Sequence, residues 1–186
     1  LPAAPPFPNT TNSRTLHPRR ITLPFSKFGL HPELLRGVRE MGFTRPTPIQ
    51  ADAIPPAMQG RDVLACAMTG SGKTAAFLLP IFNQLIGKKR GTTRALVLTP
   101  TRELAAQIQE HARALTIHTP LSSAAVCGGV SMGPQEHAFR TGADILIATP
   151  GRLLDHFRFA YAKLDHLEIL VLDEATSGVD TETEML

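Results

Sequence analysis

The sequence predicts an α/β fold in which helices cover both faces of a mainly parallel sheet. Short apolar runs of strand length alternate with longer segments of helical spacing, a pattern typical of βαβ units. A glycine-rich turn follows the first of these apolar runs, and polar residues follow several of the later ones. Both lie at the strand ends, where such sheets bind ligands. The predicted strands are residues 63–66, 95–98, 124–127, 145–148 and 169–172.

The composition fits one domain in an aqueous, reducing compartment. The chain has 186 residues, 42% of them hydrophobic, and its apolar runs are shorter than the ~18 residues that cross a bilayer. Cys66 and Cys127 both lie in apolar, strand-like runs, and the N-terminus lacks the pattern of a secretory signal. We therefore expect a cytoplasmic protein that does not bind membranes.

The formal net charge of +3 is concentrated at the N-terminus. Arg14, Arg19, Arg20 and Lys27 give the first 32 residues four basic side chains and no acidic one, which leaves 15 basic and 16 acidic residues in the rest. Because the globular part is not basic overall, binding of a polyanion there depends on individually placed groups.

The chain divides into a leader and one domain. Residues 1–22 are rich in Pro, Asn, Thr and Ser, too polar to form a packed core, and we expect a flexible leader there. Residues 23–186 form the predicted domain, which opens with a helix that ends at Gly42. The seven histidines show no metal-ligand spacing with the cysteines, so we expect them at the surface or on helix faces.

Residues 67–74, AMTGSGKT, have the composition of a phosphate-binding loop. Gly70 and Gly72 allow successive backbone N–H groups to turn inward, where Cβ atoms would clash with an anion. Lys73 adds a positive charge and Thr74 a hydroxyl for Mg²⁺, at the start of a helix whose dipole favours anions. Ala67 stands where the usual pattern has its first glycine, and the alternative is a glycine-rich turn with an incidental lysine.

The last predicted strand ends in two carboxylates, Asp173 and Glu174. In-line phosphoryl transfer needs one group to hold the metal shell and another to orient the attacking water. We assign the first role to Asp173 and the second to Glu174. A chance Asp–Glu pair is the alternative, which the phosphate loop in the same chain disfavours.

Four further segments place polar groups where they can contact a nucleotide or another backbone. Gln50, at the end of GFTRPTPIQ, has an amide that can pair with the N6 and N7 edge of adenine. The segments LTPTRELAAQ and ATPGRLLD each begin a helix with a hydroxyl and a guanidinium group, which suits phosphates. CGG at residues 127–129 allows close backbone approach. Taken singly, each is equally compatible with a capped helix, a Pro turn or a surface arginine.

Together and in this order, these segments resemble the first RecA-like domain of DEAD-box RNA helicases, over about residues 25–174. The resemblance implies a P-loop NTPase domain that binds ATP or ADP with Mg²⁺ and contacts the RNA backbone independently of base sequence. By this resemblance Phe25 would pack on the adenine and Gln50 would read it. The implied nucleotide-binding residues are Phe25, Arg45, Gln50, Thr69, Gly70, Ser71, Gly72, Lys73 and Thr74. The implied catalytic residues are Lys73, Asp173 and Glu174, the metal ligands Thr74 and Asp173, and the RNA-binding residues Thr101, Arg102, Gly128, Gly129, Thr149, Gly151 and Arg152.

The end of the sequence departs from the helicase pattern. Thr176 stands where the family has the last Asp of its eponymous motif, and SGVDTETEML does not match the helicase continuation. The stretch VLDEATSGVDTETE instead resembles the strand and D-loop of ATP-binding cassette ATPases, with Asp180 at the D-loop aspartate. Because no LSGGQ-type cassette signature occurs, we interpret the tail as a junction on a helicase domain.

The resemblance also implies that this chain ends before two parts of a complete helicase. One is the strand of a Ser-Ala-Thr motif, which lies between the phosphate-loop strand and the Asp-Glu strand. The other is the second RecA-like domain with its arginine fingers. A sheet without that strand exposes unpaired backbone groups and favours association with another chain. We expect an ATP-dependent RNA helicase as the full-length parent, and weak or no ATPase and no unwinding by this chain alone.

Two other functions are compatible with parts of the sequence. One is an inactive, nucleotide-binding regulatory module that docks on a partner through its sheet edge, and the other is a cassette-type ATPase fragment. A preference for ATP over GTP that depends on Gln50 favours the helicase domain and the regulatory module over the cassette-type ATPase. Residues 87–94, GKKRGTTR, form a basic loop that is either a solvated connection or an auxiliary contact to RNA.

Overall fold

The computed structural model describes residues 24–173, which form a four-stranded parallel sheet with helices around it. A 3₁₀ turn at Phe25–Phe28 is followed by α1 (Pro32–Glu40), α2 (Pro48–Met58), α3 (Lys73–Leu85), β1 (Ala95–Leu98), α4 (Arg102–Thr116), β2 (Ser123–Val126), α5 (Met132–Thr141), β3 (Ile145–Ala148), α6 (Pro150–Phe157) and β4 (Ile169–Leu172). The strand order is β2-β3-β1-β4, and every neighbouring pair is parallel.

Alternate residues of the central strands β1 and β3 pack into two separate cores, because successive side chains of a strand point to opposite faces. Val97 and Ile147 belong to the larger core, together with buried side chains of α1, α3 and α4. Leu96 and Leu146 belong to the smaller core, together with side chains of α5 and α6. Helices therefore cover both faces of the sheet, and both central strands are continuous apolar runs for that reason.

The strands at residues 95–98, 145–148 and 169–172 have the predicted bounds, and β2 begins and ends one residue earlier than predicted. The prediction of a strand at residues 63–66 is wrong. Residues 61–68 have no regular secondary structure, and Leu64 is 96% exposed. None of the four described strands pairs with this run, and an unpaired extended segment gains no ladder hydrogen bonds. Cys66, expected in an apolar strand, is consequently exposed, whereas Cys127 is buried.

In the described part of the chain, β4 forms one edge of the sheet and pairs only with β1. Leu170 and Leu172 of β4 are 54% and 61% exposed. An apolar strand with one unpaired edge is thus adjacent to the predicted nucleotide site.

Several predictions fall outside the described residues. These are the flexible leader at residues 1–22 and the roles of Glu174, Thr176 and Asp180. Within residues 24–173, no helix combines the length and apolar character that spanning a membrane requires.

Candidate functional site

The predicted phosphate loop makes tight turns directly before α3. Gly70 and Gly72 have φ values of 77° and 92°, in the left-handed region that side chains with a Cβ rarely adopt. The Ser71 N–H donates to the Met68 carbonyl at 3.2 Å, which closes the turn. A Cβ at Gly72 would lie 2.5 Å from Gln50 Nε2, so the loop and α2 approach more closely than an alanine would allow.

Donor groups of the loop and of the first turn of α3 fit a phosphate group. Lys73 Nζ donates to the Ala67 carbonyl at 2.6 Å, which keeps its charge beside the loop. The Ser71 hydroxyl is buried and has no hydrogen-bond partner among the described residues. A buried hydroxyl without a partner, an ammonium group and the free N–H groups of a helix start are together suited to an anion.

Asp173 continues the line of β4 at its carboxyl end. Its backbone N–H donates to the Leu98 carbonyl at 2.9 Å, which extends the β1–β4 ladder by one bond. Residues 24–173 contain no group of three His, Cys, Asp or Glu side chains that could hold a metal ion by themselves. Mg²⁺ usually takes one or two carboxylates and completes its shell with water and phosphate oxygens, so a site with Thr74 and Asp173 does not need such a group, and their role as ligands stays a prediction.

Gln50 is buried, 3% exposed, and both ends of its amide have protein partners. Its Nε2 donates to the Gly72 carbonyl at 3.0 Å, and its Oε1 accepts from the Thr47 N–H at 3.0 Å. The Thr47 hydroxyl accepts from the Gln50 N–H in return, so the two residues form a capping box at the start of α2. The predicted adenine reader is therefore also a brace for the phosphate loop.

Two other residues of the predicted nucleotide set lie apart from the loop. Phe25 is buried in the larger core, with its ring centroid 5.8 Å from that of Phe28 and 6.3 Å from that of Phe43. Arg45 lies exposed in the bend before α2. Their contact with adenine and with the nucleotide stays a prediction.

A cavity of about 390 Å³ collects most of the predicted RNA-binding residues. Its lining comes from three chain segments: the start of α4, the loop after β2 and the start of α6. The lining residues are Pro100, Thr101, Arg102, Glu103, Gly128, Thr149, Arg152 and Asp155. Two helix N-termini thus open onto one cavity, where unpaired N–H groups and two guanidinium groups can meet phosphates.

Both arginines of the cavity lie against the Gly128–Gly129 loop. Gly129 has a φ of 78°, and a Cβ there would overlap Nη1 of Arg102. Arg152 Nη1 donates to the Val130 carbonyl at 3.2 Å. Arg152 Nε lies 3.9 Å from the Asp155 carboxylate, which partly balances its charge. The exposed loop is therefore placed by guanidinium contacts within the cavity.

The basic loop at residues 87–94 is tied to acidic side chains of the domain. Lys88 and Arg94 both bind the Glu168 carboxylate. Arg90 Nη2 lies 2.6 Å from a carboxylate oxygen of the buried Asp144. Lys88 and Arg94 lower the pKa of Glu168, chiefly through the hydrogen bond from Lys88. The structure thus gives this loop a connecting role between α3 and the sheet.

Sequence analysis missed a buried polar cluster next to the cavity. His156, expected at the surface or on a helix face, lies on α6 and is 0% exposed, so it faces the interior and not the surface. Burial lowers the pKa of His156 from its ordinary value. Its partners Gln135 and Tyr161 are 21 and 5 residues away in sequence, so no local pattern marks the cluster.

Comparison with known proteins decides the family. The sequence model of the DEAD/DEAH box helicases matches residues 47–183, well over half of the chain. The chain belongs to the DEAD/DEAH box helicase family. The predicted resemblance is thereby confirmed, and the match reaches from the Thr47 cap to beyond the Asp173–Glu174 pair.

Named relatives of this helicase domain cover most of it. ATP-dependent RNA helicase SrmB of Escherichia coli is 48% identical over 159 residues, which are 84% of this chain and 36% of that protein. ATP-dependent RNA helicase DRS1 of Chaetomium globosum is 50% identical over 154 residues, 81% of this chain and 19% of that protein. The chain thus spans about a third or less of the length of these relatives.

A solved helicase structure shares the fold. The crystal structure of the RNA helicase Prp28 from Chaetomium thermophilum bound to ADP matches with a TM-score of 0.77 and 39% identity. The match covers 83% of this chain and 39% of that one. The predicted fold class, an α/β RecA-like helicase domain with a parallel sheet, is confirmed.

Proposed function

We propose that this chain binds ATP or ADP with Mg²⁺ and one stretch of RNA backbone, as one domain of a longer ATP-dependent RNA helicase. The observation that carries the proposal is the meeting of three separate segments around the cavity at the starts of α4 and α6. The chain's similarity to the ATP-dependent RNA helicases SrmB and DRS1, and to Prp28 with bound ADP, supports the proposal.

In the nucleotide half of the site, each group has a distinct role. Lys73, the N–H groups at the start of α3 and the Ser71 hydroxyl would hold phosphates. Thr74 and Asp173 would hold Mg²⁺, which neutralises charge on the transferring phosphoryl group when bound. Glu174 would orient the attacking water and accept its proton.

In the RNA half, the starts of α4 and α6 would take successive phosphates. Thr101 caps α4 by accepting from the Leu104 N–H at 3.2 Å. The neighbouring Arg102 is exposed and lines the cavity. At α6, Thr149 caps no backbone group with its side chain, so its hydroxyl is available for a ligand. These groups recognise sugar and phosphate, and binding is therefore expected to be independent of base sequence.

Salt-dependent binding of a fluorescent oligouridine tests the RNA half. Arg102→Gln should weaken binding and reduce the slope of log affinity against log salt concentration, by about one unit or less. Arg113→Gln is the matched control, because Arg113 is exposed on the last turn of the same helix, about 16 Å away. Equal binding by wild type and both variants would contradict this half of the proposal.

Phosphate release tests the expected lack of turnover. We expect the chain alone to release phosphate from ATP no faster than the Glu174→Gln variant, with or without oligouridine, while binding ADP normally. A wild-type rate that RNA raises and that Glu174→Gln abolishes would show that this chain hydrolyses ATP without a second domain.

A second function is favoured by one observation. Among residues 24–173 one edge of β4 has no paired strand, and this edge, with exposed Leu170 and Leu172, is a surface on which a partner strand could pair. A regulatory docking module would bind ADP as above, but its affinity for oligouridine would not respond to Arg102→Gln.

A further inference from the structure

One face of α6 is connected to the Gly128–Gly129 loop in two ways, directly through Arg152 and indirectly through His156 and Gln135. Arg152 and His156 are four residues apart and so lie on the same side of the helix. Arg152 Nη1 donates to the Val130 carbonyl at 3.2 Å. His156 Nε2 lies 3.1 Å from Gln135 Oε1, and both of these side chains are buried, at 0% and 4% exposure.

Gln135 connects His156 to the backbone on both sides of the loop. Its Nε2 donates to the Cys127 carbonyl and to the Ser131 carbonyl, each at 3.1 Å. Cys127 directly precedes the two glycines, and Ser131 follows Val130. One amide therefore holds both ends of a five-residue loop, residues 127–131. Gly128 of this loop lines the cavity.

The partners of Gln135 determine where the protons lie. Two carbonyl oxygens can only accept, so the amide NH₂ must face them and Oε1 must face His156. His156 Nε2 therefore carries a hydrogen and donates it, and Nδ1 of the neutral ring accepts from the Tyr161 hydroxyl at 2.9 Å. Burial lowers the pKa of His156, in agreement with a neutral imidazole. No polar atom of the ring or the amide lacks a partner, which is how a buried polar cluster becomes rigid.

Aromatic packing holds this chain of hydrogen bonds in place. The His156 ring centroid is 5.2 Å from that of Phe139 and 5.9 Å from that of Tyr161. The guanidinium group of Arg140 lies 5.0 Å above the centre of the Tyr161 ring. The cluster thus joins α5, α6 and the segment after α6 behind the cavity wall.

We propose that Gln135 and His156 are positioning residues for RNA binding: they hold the Gly128–Gly129 loop in a fixed position relative to the N-terminus of α6. Neither side chain lines the cavity, so both act through the residues that do. The inference rests on the RNA half of the proposed function. It adds that the loop after β2 and the start of α6 bind RNA as one rigid unit.

Oligouridine affinity of full-chain variants tests the proposal. Gln135→Met and His156→Leu remove the connection at similar volume, and each should weaken RNA binding about tenfold, because one or two buried hydrogen bonds are lost. His156→Gln supplies an amide donor in place of Nε2–H and should restore most of the affinity. Tyr161→Phe, which removes only the terminal hydroxyl, should change RNA affinity by about twofold or less. ADP affinity should stay unchanged in all four variants.

Two outcomes separate this inference from the proposed function. If wild type binds oligouridine and Gln135→Met and His156→Leu bind it equally well, the positioning role is wrong and RNA binding stands. If wild type does not bind oligouridine at all, the proposed function fails first.

A spectroscopic measurement on the wild type tests the proposal even if the variants fail to fold. ¹⁵N NMR of wild type should show His156 as the neutral tautomer with hydrogen on Nε2. A hydrogen on Nδ1 instead would overturn the proposal without any variant.

Discussion

Gln50 is placed to couple recognition of the base to the shape of the phosphate loop. Its amide nitrogen holds the Gly72 carbonyl and its amide oxygen holds the Thr47 N–H, each at 3.0 Å. Adenine would compete for these same two groups. If Gln50 reads adenine as proposed, nucleotide binding would exchange these internal hydrogen bonds for hydrogen bonds to the base, and the Gly72 carbonyl of the phosphate loop would lose its partner.

Substitution of Gln50 tests that coupling. Gln50→Glu keeps the acceptor for Thr47 but loses the donor, and we expect ATP affinity to fall about 5- to 100-fold, with loss of the preference for ATP over GTP. Displacement of fluorescent ADP by each nucleotide measures both effects. Gln59→Ala, at the exposed C-cap of the same helix, is the control and should leave them unchanged. Retention of the ATP preference in Gln50→Glu would assign base recognition to other residues.

His156 makes stability depend on pH. Its folded-state pKa is lowered by burial from the ordinary 6.5, with Arg152 lowering it further and Asp155 and Glu136 opposing, while Tyr161, Gln135 and Phe139 contact the ring. The unfolded chain therefore binds the proton first as pH falls. The contribution to stability is fully present above 6.5 and is lost as pH falls from there through the folded pKa.

Urea unfolding at pH 7.5 and 5.5 measures the effect of His156. Wild type should lose more unfolding free energy over this interval than His156→Gln, which cannot titrate. Identical losses in the two proteins would mean that His156 takes up its proton equally well in the folded state.

Among the helices, α1 and α4 pack so closely at Gly37 that a residue with a Cβ does not fit there. A Cβ at Gly37 of α1 would overlap the Leu115 carbonyl of α4. Gly37→Ala should therefore destabilise the fold by about 1–3 kcal/mol, despite the better helix propensity of alanine. Gly87→Ala is the control, because nothing lies within 4 Å of its added Cβ, and it should change stability by about 0.5 kcal/mol or less. Urea midpoints compare them, and equal midpoints would contradict close packing of these helices.

How far the sequence predicts an element depends on whether its pattern is local. β1 and β3 were predictable to the residue because strands buried between helix layers are continuous apolar runs. β4 was predictable from the same continuous apolar pattern, although alternate residues of this edge strand are exposed. Residues 63–66 have the same apolar pattern and yet form no strand, because a strand also needs a neighbour, which the pattern does not contain.

The candidate site shows the same limit. Thr101 and Arg102 were predictable because a cap and a helix start are adjacent in sequence. Gln135 and His156 were not, since their hydrogen bond joins two helices through the fold. The close approach of Arg102 to Gly129 likewise depends on strand order rather than on either motif.

At the scale of the whole molecule, the described sheet ends in a strand suited to pairing. β4 is paired on one side in residues 24–173, and Leu170 and Leu172 remain exposed on it. Unpaired apolar edges commonly recruit another strand. The chain is therefore expected to self-associate through β4.

Sedimentation velocity over a concentration series tests association. Wild type should show a species that grows with concentration, and Leu170→Lys should remain monomeric, because a charged side chain blocks edge pairing. Ile117→Lys, which changes an equally exposed apolar residue at the end of α4, should behave like wild type. A wild type that stays monomeric throughout would show that the β4 edge is not available for pairing.

We expect the phosphate loop and the end of β4 to hold one magnesium nucleotide between them. The most direct test is a double-mutant cycle of ATP affinity with Lys73→Ala and Asp173→Asn, in Mg²⁺ and in EDTA. We predict that Lys73→Ala weakens binding in both media, that Asp173→Asn weakens it only with Mg²⁺, and that the two effects with Mg²⁺ are not additive. Additive losses, or an Asp173→Asn loss that persists in EDTA, would contradict a shared metal-nucleotide site.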